Sequence, residues 1–176
     1  EQNQTRFYGY VSLSIFAVMG IAFSSNLFTF FLFYELLTFL TYPLVTHNGS
    51  SNAKQGGKIY LGILLFTSIC FLLLAICITY SFAGTLDFSK GGILPNELSN
   101  TEITILLLTF CFGVGKAALF PFHGWLPAAM VAPTPVSALL HAVAVVKAGV
   151  FGIIKIIVYI FGISYLQEIT ALSILT

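Results

Sequence analysis

Residues Gly113 to Gly149 read GVGKAALFPFHGWLPAAMVAPTPVSALLHAVAVVKAG and lie between apolar runs. The stretch carries two lysines, two histidines, four prolines and a tryptophan. It is bounded by membrane-like sequence, so it lies at or near membrane depth. A bilayer offers no water to loose backbone groups, so such a stretch survives only buried in protein or lining a wet cavity. Ionisable residues at that depth are functional candidates by default. The rest of the chain therefore reads as the wall around this stretch. Composition agrees: 58% of the 176 residues are hydrophobic and 7% charged, where a soluble domain carries roughly 25% charged residues. The expected fold is all-α and integral to a membrane, with about five transmembrane helices, one of them discontinuous.

A span needs about 20 apolar residues at 1.5 Å each. The first is predicted over Tyr8–Ser24. Ser25 and Asn26 make a tight turn, with Asn26 placed to cap the second span, Leu27–Thr46. The polar residues His47–Gly57 read as a loop. The third span is predicted over Lys58–Phe82, followed by a polar loop at Gly84–Asn100. The fourth runs over Glu102–Leu119 and stops at Pro121. A short helix is predicted over Phe122–Met130. Thr134 reads as an N-cap with Pro135 at the first helical position, opening a last span to Phe161. Gly162–Thr176 reads as the start of a helix whose remainder is absent. Together with an opening Glu1 in place of Met, this reads as a piece of something longer. No short repeat or linker divides the chain, so one domain is expected over residues 1–176.

A net charge of +1 with no basic run argues against a nucleic-acid partner. Cys70, Cys77 and Cys111 all lie in apolar runs with no CxxC and no Cys–His spacing suited to a metal, so they read as helix-packing residues and no metal or cofactor is expected. Arg6, Lys54 and Lys58 fall on one side of the alternating spans. The positive-inside rule makes that side cytoplasmic and carries the PFHGWLP segment there too.

Three charges are read at mid-depth: Glu35, Lys116 and Lys147. Glu35 shares a helical stripe with Thr38 and Tyr42 on an otherwise Phe- and Leu-rich helix. A carboxylate there costs about 3 kcal/mol on insertion scales, so it reads as either a static ion pair or a proton-coupling group. Lys116 follows GVG at the end of the fourth span, with Thr109 two turns back on its stripe. Gly113, Gly115 and Pro121 weaken the helix around it, the pattern of discontinuous helices that line transport cavities. GVGK is not a phosphate loop: the GxxxxGK[ST] spacing is missing, and Ala117 stands where Ser or Thr would be. Lys147 lies near mid-depth in the last span. His141 lies on a separate stripe of small residues, Ala144, Ala148 and Gly152, and reads as either a proton relay or a satisfied buried imidazole. Lys155 is nearer the outer surface, an accessory charge or a snorkelling one. His123 reads as a guard of a cytoplasmic opening or a cap of the short helix. Trp125, Tyr60 and Tyr80 read as interfacial anchors. Separated intramembrane charges beside a broken helix suit stepwise transfer of small cations, most simply protons.

FGVGKAALFPFHGWLPAAMVAPTPVSALLHAVAVVKAGVF closely resembles the signature of the antiporter-like subunits found in Mrp-type cation/proton antiporters, in the membrane arm of respiratory complex I and in membrane-bound hydrogenases. FFLFYELLTFLTYPLV resembles the fifth helix of that family. The resemblance implies that Glu35 matches the family glutamate, Lys116 the lysine of the broken seventh helix, and Lys147 and His141 the lysine and histidine of the eighth. It implies protons passing along a hydrated mid-membrane axis, with the glutamate–lysine pair modulating the charge of the central residues. The chain would hold family helices four to eight, one half-repeat of a full subunit. Ala128 departs from the acidic or polar residue that follows WLP in many relatives.

The expected function is a proton-translocating subunit, or part of one, of a multisubunit monovalent cation (Na+)/proton antiporter. Its partners would be other membrane subunits, the lipid bilayer and protons, with or without Na+, in a bacterial-type inner (plasma) membrane. The alternatives are a membrane-arm subunit of NADH:quinone oxidoreductase or a related hydrogenase, where any enzyme activity belongs to the assembly, and a non-conducting scaffold whose charges only pin helices.

Overall fold

In the computed structural model, which describes residues 4–95, 97–132 and 134–162, the apolar runs fold as helices. α1 covers Gln4–Phe23 and α2 Leu27–Val45. α3 runs over Ser51–Ala83 and contains a π-helical turn at Ser68–Leu72. α4 covers Asn100–Gly113, the short α5 covers Trp125–Ala129, and α6 runs over Thr134–Phe161 with π-helical turns at Leu139–Val143 and Ile157–Phe161. Four of these, α1, α2, α3 and α6, are long and apolar enough to cross a membrane, and α4 is a shorter apolar helix of 14 residues.

Local chemistry sets the boundaries. The Asn26 side chain accepts the Thr29 N–H at 2.7 Å and caps α2 as expected. α3 begins seven residues earlier than Lys58, because Ser50 caps Ala53 N–H at 3.1 Å and gives the polar residues of the expected loop a helical start. α4 opens on a capping box, Ser99 with Glu102. It ends at Gly113 and not at Leu119. Val114 leaves the helix at φ −84°, ψ 56°, a tight 3₁₀ turn spans Gly115–Ala117, and Ala118 adopts φ 55°.

The glycines of this break do not supply the left-handed residue; Ala118 does. Gly113 and Gly115 are there because neighbouring backbone comes too close for a side chain. A Cβ on Gly113 would lie 2.5 Å from the Leu72 nitrogen, at the π-turn of α3, and one on Gly115 would collide with the Thr67 hydroxyl. Gly149 of α6 presses on the far side of the same turn, where a Cβ would lie 2.6 Å from the Lys116 carbonyl carbon. The break is thus gripped between α3 and α6.

The two ends of the bundle are distinct. At one end, Leu27 N–H bonds the Leu86 carbonyl at 2.8 Å and Phe88 N–H the Ser25 carbonyl at 3.0 Å. Ile93 N–H also reaches the Ile160 carbonyl there at 2.9 Å. The Ser25–Asn26 turn, the loop after α3 and the end of α6 therefore share one end, as alternating spans require. Phe7 and His47, whose rings meet at 5.2 Å, mark the other. Cys70 and Cys77 are exposed and Cys111 half-buried, so packing inside this bundle is not what the first two do. The tail 163–176, predicted to begin a helix, lies outside the described residues.

Candidate functional site

Three long-range polar contacts converge on Lys116. It is fully buried, at 0% exposure. Its ammonium donates to the Tyr34 carbonyl at 2.8 Å and to the Thr38 hydroxyl at 2.6 Å, and sits 3.3 Å from the centre of the Tyr34 ring. Its backbone N–H donates to the Tyr34 hydroxyl at 3.0 Å. The broken helix is what makes this reach feasible: the turn at Gly115–Ala117 swings the lysine out of line with α4 and against α2.

Glu35 follows Tyr34 on α2 and lies one turn before Thr38. Both of its carboxylate oxygens are buried, and neither meets a hydrogen-bond partner. Among the described residues no hydrogen bond or ion pair joins Glu35 to Lys116. An unpaired carboxylate removed from water costs several kcal/mol. Unsatisfied polar groups of this kind flag a place where function outranks stability.

His141 sits in the π-turn Leu139–Val143 of α6, and both ring nitrogens are buried without a partner. The reading of a satisfied buried imidazole does not hold. Its small-residue stripe does pack closely: Ala144 and Ala148 are buried, and a Cβ on Gly152 would lie 2.7 Å from the Phe30 ring. Lys147, two residues before Gly149, points outward and is exposed, on the same side as Val150, Phe151 and Ile154. The structure does not bring it to Lys116.

Lys155 turns inward and does not snorkel. It is 7% exposed, and its ammonium reaches the carbonyls of Ala22 at 3.0 Å and Ser24 at 2.8 Å, the Ser24 hydroxyl at 2.9 Å and, more distantly, Ile21 O at 3.4 Å. These are the last carbonyls of α1 and the turn beyond it, where a cation is favoured by the helix dipole. Phe88 and Phe151 flank the ammonium at 4.6 and 5.6 Å.

The remaining expected residues stand apart from Lys116. The Thr109 hydroxyl bonds its own helix at Ile105 O, 2.7 Å away. Tyr42 packs on Gly57 of α3. His123 is exposed and stacks on Phe120, so it does not cap the short helix. Pro121 precedes the 3₁₀ turn Phe122–Gly124 that leads into α5.

Two residues read as interfacial anchors are core residues. Trp125 and Tyr60 are both at 0% exposure and meet edge to face at 5.5 Å. The Trp125 indole N–H donates to the Gly115 carbonyl at 2.9 Å, and the Tyr60 hydroxyl shares a 2.6 Å bond with Thr41 on α2. Tyr80 is exposed, as an interface residue should be. Tyr34 was the residue missed altogether. Its adjacency to Glu35 was visible, but nothing in the spacing pairs it with a residue 82 positions away.

A bundle of membrane-length helices around a broken helix, with a buried lysine and an unpaired buried carboxylate, defines a multi-pass membrane protein with charges inside its spans. Residues 24–176 match the model of the family described as NADH:quinone oxidoreductase/Mrp antiporter, transmembrane. The chain belongs to that family and is an integral membrane protein. It is 34% identical over 183 residues to the chloroplastic NAD(P)H-quinone oxidoreductase subunit 5 of Ipomoea purpurea, covering 98% of this chain and 25% of the relative. Its fold matches a chain of an archaeal membrane-bound sulfane sulfur reductase, with TM-score 0.78 and 27% identity over 93% of this chain and 34% of the other. It also matches a chain of the Mrp complex from Dietzia sp. DQ12-45-1b, with TM-score 0.74 and 30% identity over 82% of this chain and 16% of the other. The chain spans about a quarter of the length of the curated relative it matches.

Proposed function

We propose that this chain is the proton-translocating domain, residues 1–176, of a membrane subunit in a multisubunit monovalent cation/proton antiporter. In this reading it corresponds to family helices four to eight and sits among other membrane subunits in a bacterial inner membrane. Lys116 and Glu35 are the paired stations, and His141 is a relay on α6. Lys147 continues the path outward, toward protein that covers its exposed face.

The observation that carries this reading is the state of the pair. A static pin would close Glu35 onto Lys116, because two buried charges offset their desolvation only in good mutual geometry. Here the ammonium rests on neutral oxygens of Tyr34 and Thr38, and the carboxylate one turn away is unpaired. A lysine within reach of two alternative partners can change charge state as it moves between them. Protonating Glu35 leaves Lys116 on the Tyr34 and Thr38 oxygens, and deprotonating it draws the lysine along α2 toward the carboxylate. His141, with two unpartnered nitrogens, can accept a proton on one and release it from the other.

Membership in the membrane arm of an NADH:quinone oxidoreductase is the second reading, favoured by the likeness to chloroplastic subunit 5. Both readings use the same stations. Lys116→Ala in the full-length protein, measured by pH-sensitive dye in vesicles carrying the assembled complex, is expected to abolish proton translocation without loss of assembly. Near-normal translocation would overturn the assignment.

A further inference from the structure

We propose that Tyr34 and Trp125 are positioning residues that together clamp the one peptide unit joining Gly115 to Lys116, and thereby aim the lysine at α2. This inference rests on Lys116 being a proton station.

The unit lies where α4 has ended, so its polar groups have lost the helix that would have satisfied them. Its N–H, carried by Lys116, donates to the Tyr34 hydroxyl at 3.0 Å. Its C=O, carried by Gly115, accepts the Trp125 indole N–H at 2.9 Å and the Ala118 N–H at 3.0 Å. A peptide unit is planar, so holding both ends fixes its plane; the next peptide is held by the Ala117 N–H on the Val114 carbonyl at 3.0 Å, and the two together set the direction in which the Lys116 side chain leaves the backbone. The two clamping rings come from different elements, α2 and α5, and are 1% and 0% exposed. Neither has room to swing. Gly149 closes the next peptide from behind, and Thr67 stands against Gly115.

The clamp closes on itself through α2. Trp125 packs on Tyr60, Tyr60 bonds Thr41, and the Thr41 hydroxyl donates to the Leu37 carbonyl at 2.6 Å and more distantly to the Thr38 carbonyl at 3.1 Å. Thr38 is the residue whose hydroxyl receives the Lys116 ammonium. One helix therefore sets both the backbone from which the lysine starts and the oxygens on which it lands. Tyr34 acts at three points at once: hydroxyl to the backbone N–H, ring face to the ammonium, carbonyl to the same ammonium. Replacing it by Phe keeps the ring and the carbonyl and removes only the clamp bond.

The test uses the full-length protein in its assembled complex, with Tyr34→Phe, Trp125→Phe, the double variant and Lys116→Ala measured side by side. Proton translocation in vesicles is recorded across pH and normalised to assembled complex. Each single variant is expected to lose about tenfold to a hundredfold in rate and to displace the midpoint of the pH–rate profile by about half a unit or more. The double variant is expected to match the more affected single one, because both bonds act on one peptide unit. A wild-type midpoint in Tyr34→Phe overturns the clamp, as do additive displacements in the double variant. If Trp125→Phe does not assemble, the midpoint of Tyr34→Phe alone decides. Normal translocation by Lys116→Ala would sink the underlying function, whereas a silent Lys116→Ala with an unmoved Tyr34→Phe midpoint sinks the clamp alone.

Discussion

Lys116 and Lys155 are both buried in the same bundle, and they live in opposite circumstances. Lys155 has more oxygens within reach than its ammonium has protons: three backbone carbonyls and a hydroxyl gather round it. All belong to the end of α1 and its turn, so the lysine works as a helix cap in a membrane protein where water does not do that job. Lys116 has one carbonyl and one hydroxyl, and a carboxylate nearby that has no partner. A cation that is fully satisfied has nowhere to go. One that is partly satisfied beside an open acceptor has two places to be. Under the proposed function, burial alone does not mark a working charge; the surplus or shortage of partners does.

This contrast can be broken from either side. The largest effect should come on the Lys116 side. Glu35→Gln keeps the shape and removes the charge, and should lower translocation on the order of ten- to a hundredfold and displace its pH profile in vesicles. An unchanged profile with intact assembly would mean that Glu35 only pins helices. On the Lys155 side the effect should fall on stability. Lys155→Ala uncaps α1, and should lower the unfolding free energy by about 1–2 kcal/mol, read as an earlier thermal transition of the purified complex. Translocation per assembled complex should stay near wild type. A variant of normal stability that had lost transport would move Lys155 into the machinery and collapse the distinction.

Much of this was legible in the chain. Runs of apolar residues give the helices, Asn26 announces a helix start, and the glycines and prolines around Lys116 announce a break. The stripe Glu35–Thr38 pointed at a partner, and Thr38 does receive one. What the periodicity could not show is tertiary. A tryptophan beside a proline in a membrane protein has the composition of an interfacial anchor, and only the path of the unwound segment turns Trp125 inward to take the Gly115 carbonyl. Lys155 has the length and position to snorkel, and only the arrival of the α1 terminus gives it something better to do. Gly113 and Gly115 read as helix breakers by conformational freedom, whereas the structure uses them for close approach to α3 and leaves the left-handed position to Ala118. The outward face of Lys147 follows from which side of α6 meets the Lys116 turn, a matter settled by Gly149 packing on that turn.

Arginine at the two buried lysines tests the contrast most directly, because a guanidinium keeps the positive charge and does not release its proton. Lys116→Arg and Lys155→Arg, each in the full-length protein, are compared by proton translocation in vesicles per assembled complex. The account predicts that Lys155→Arg translocates near the wild-type rate and that Lys116→Arg does not translocate. A Lys116→Arg complex that pumps normally would show that a fixed charge suffices at that position, and would contradict the account.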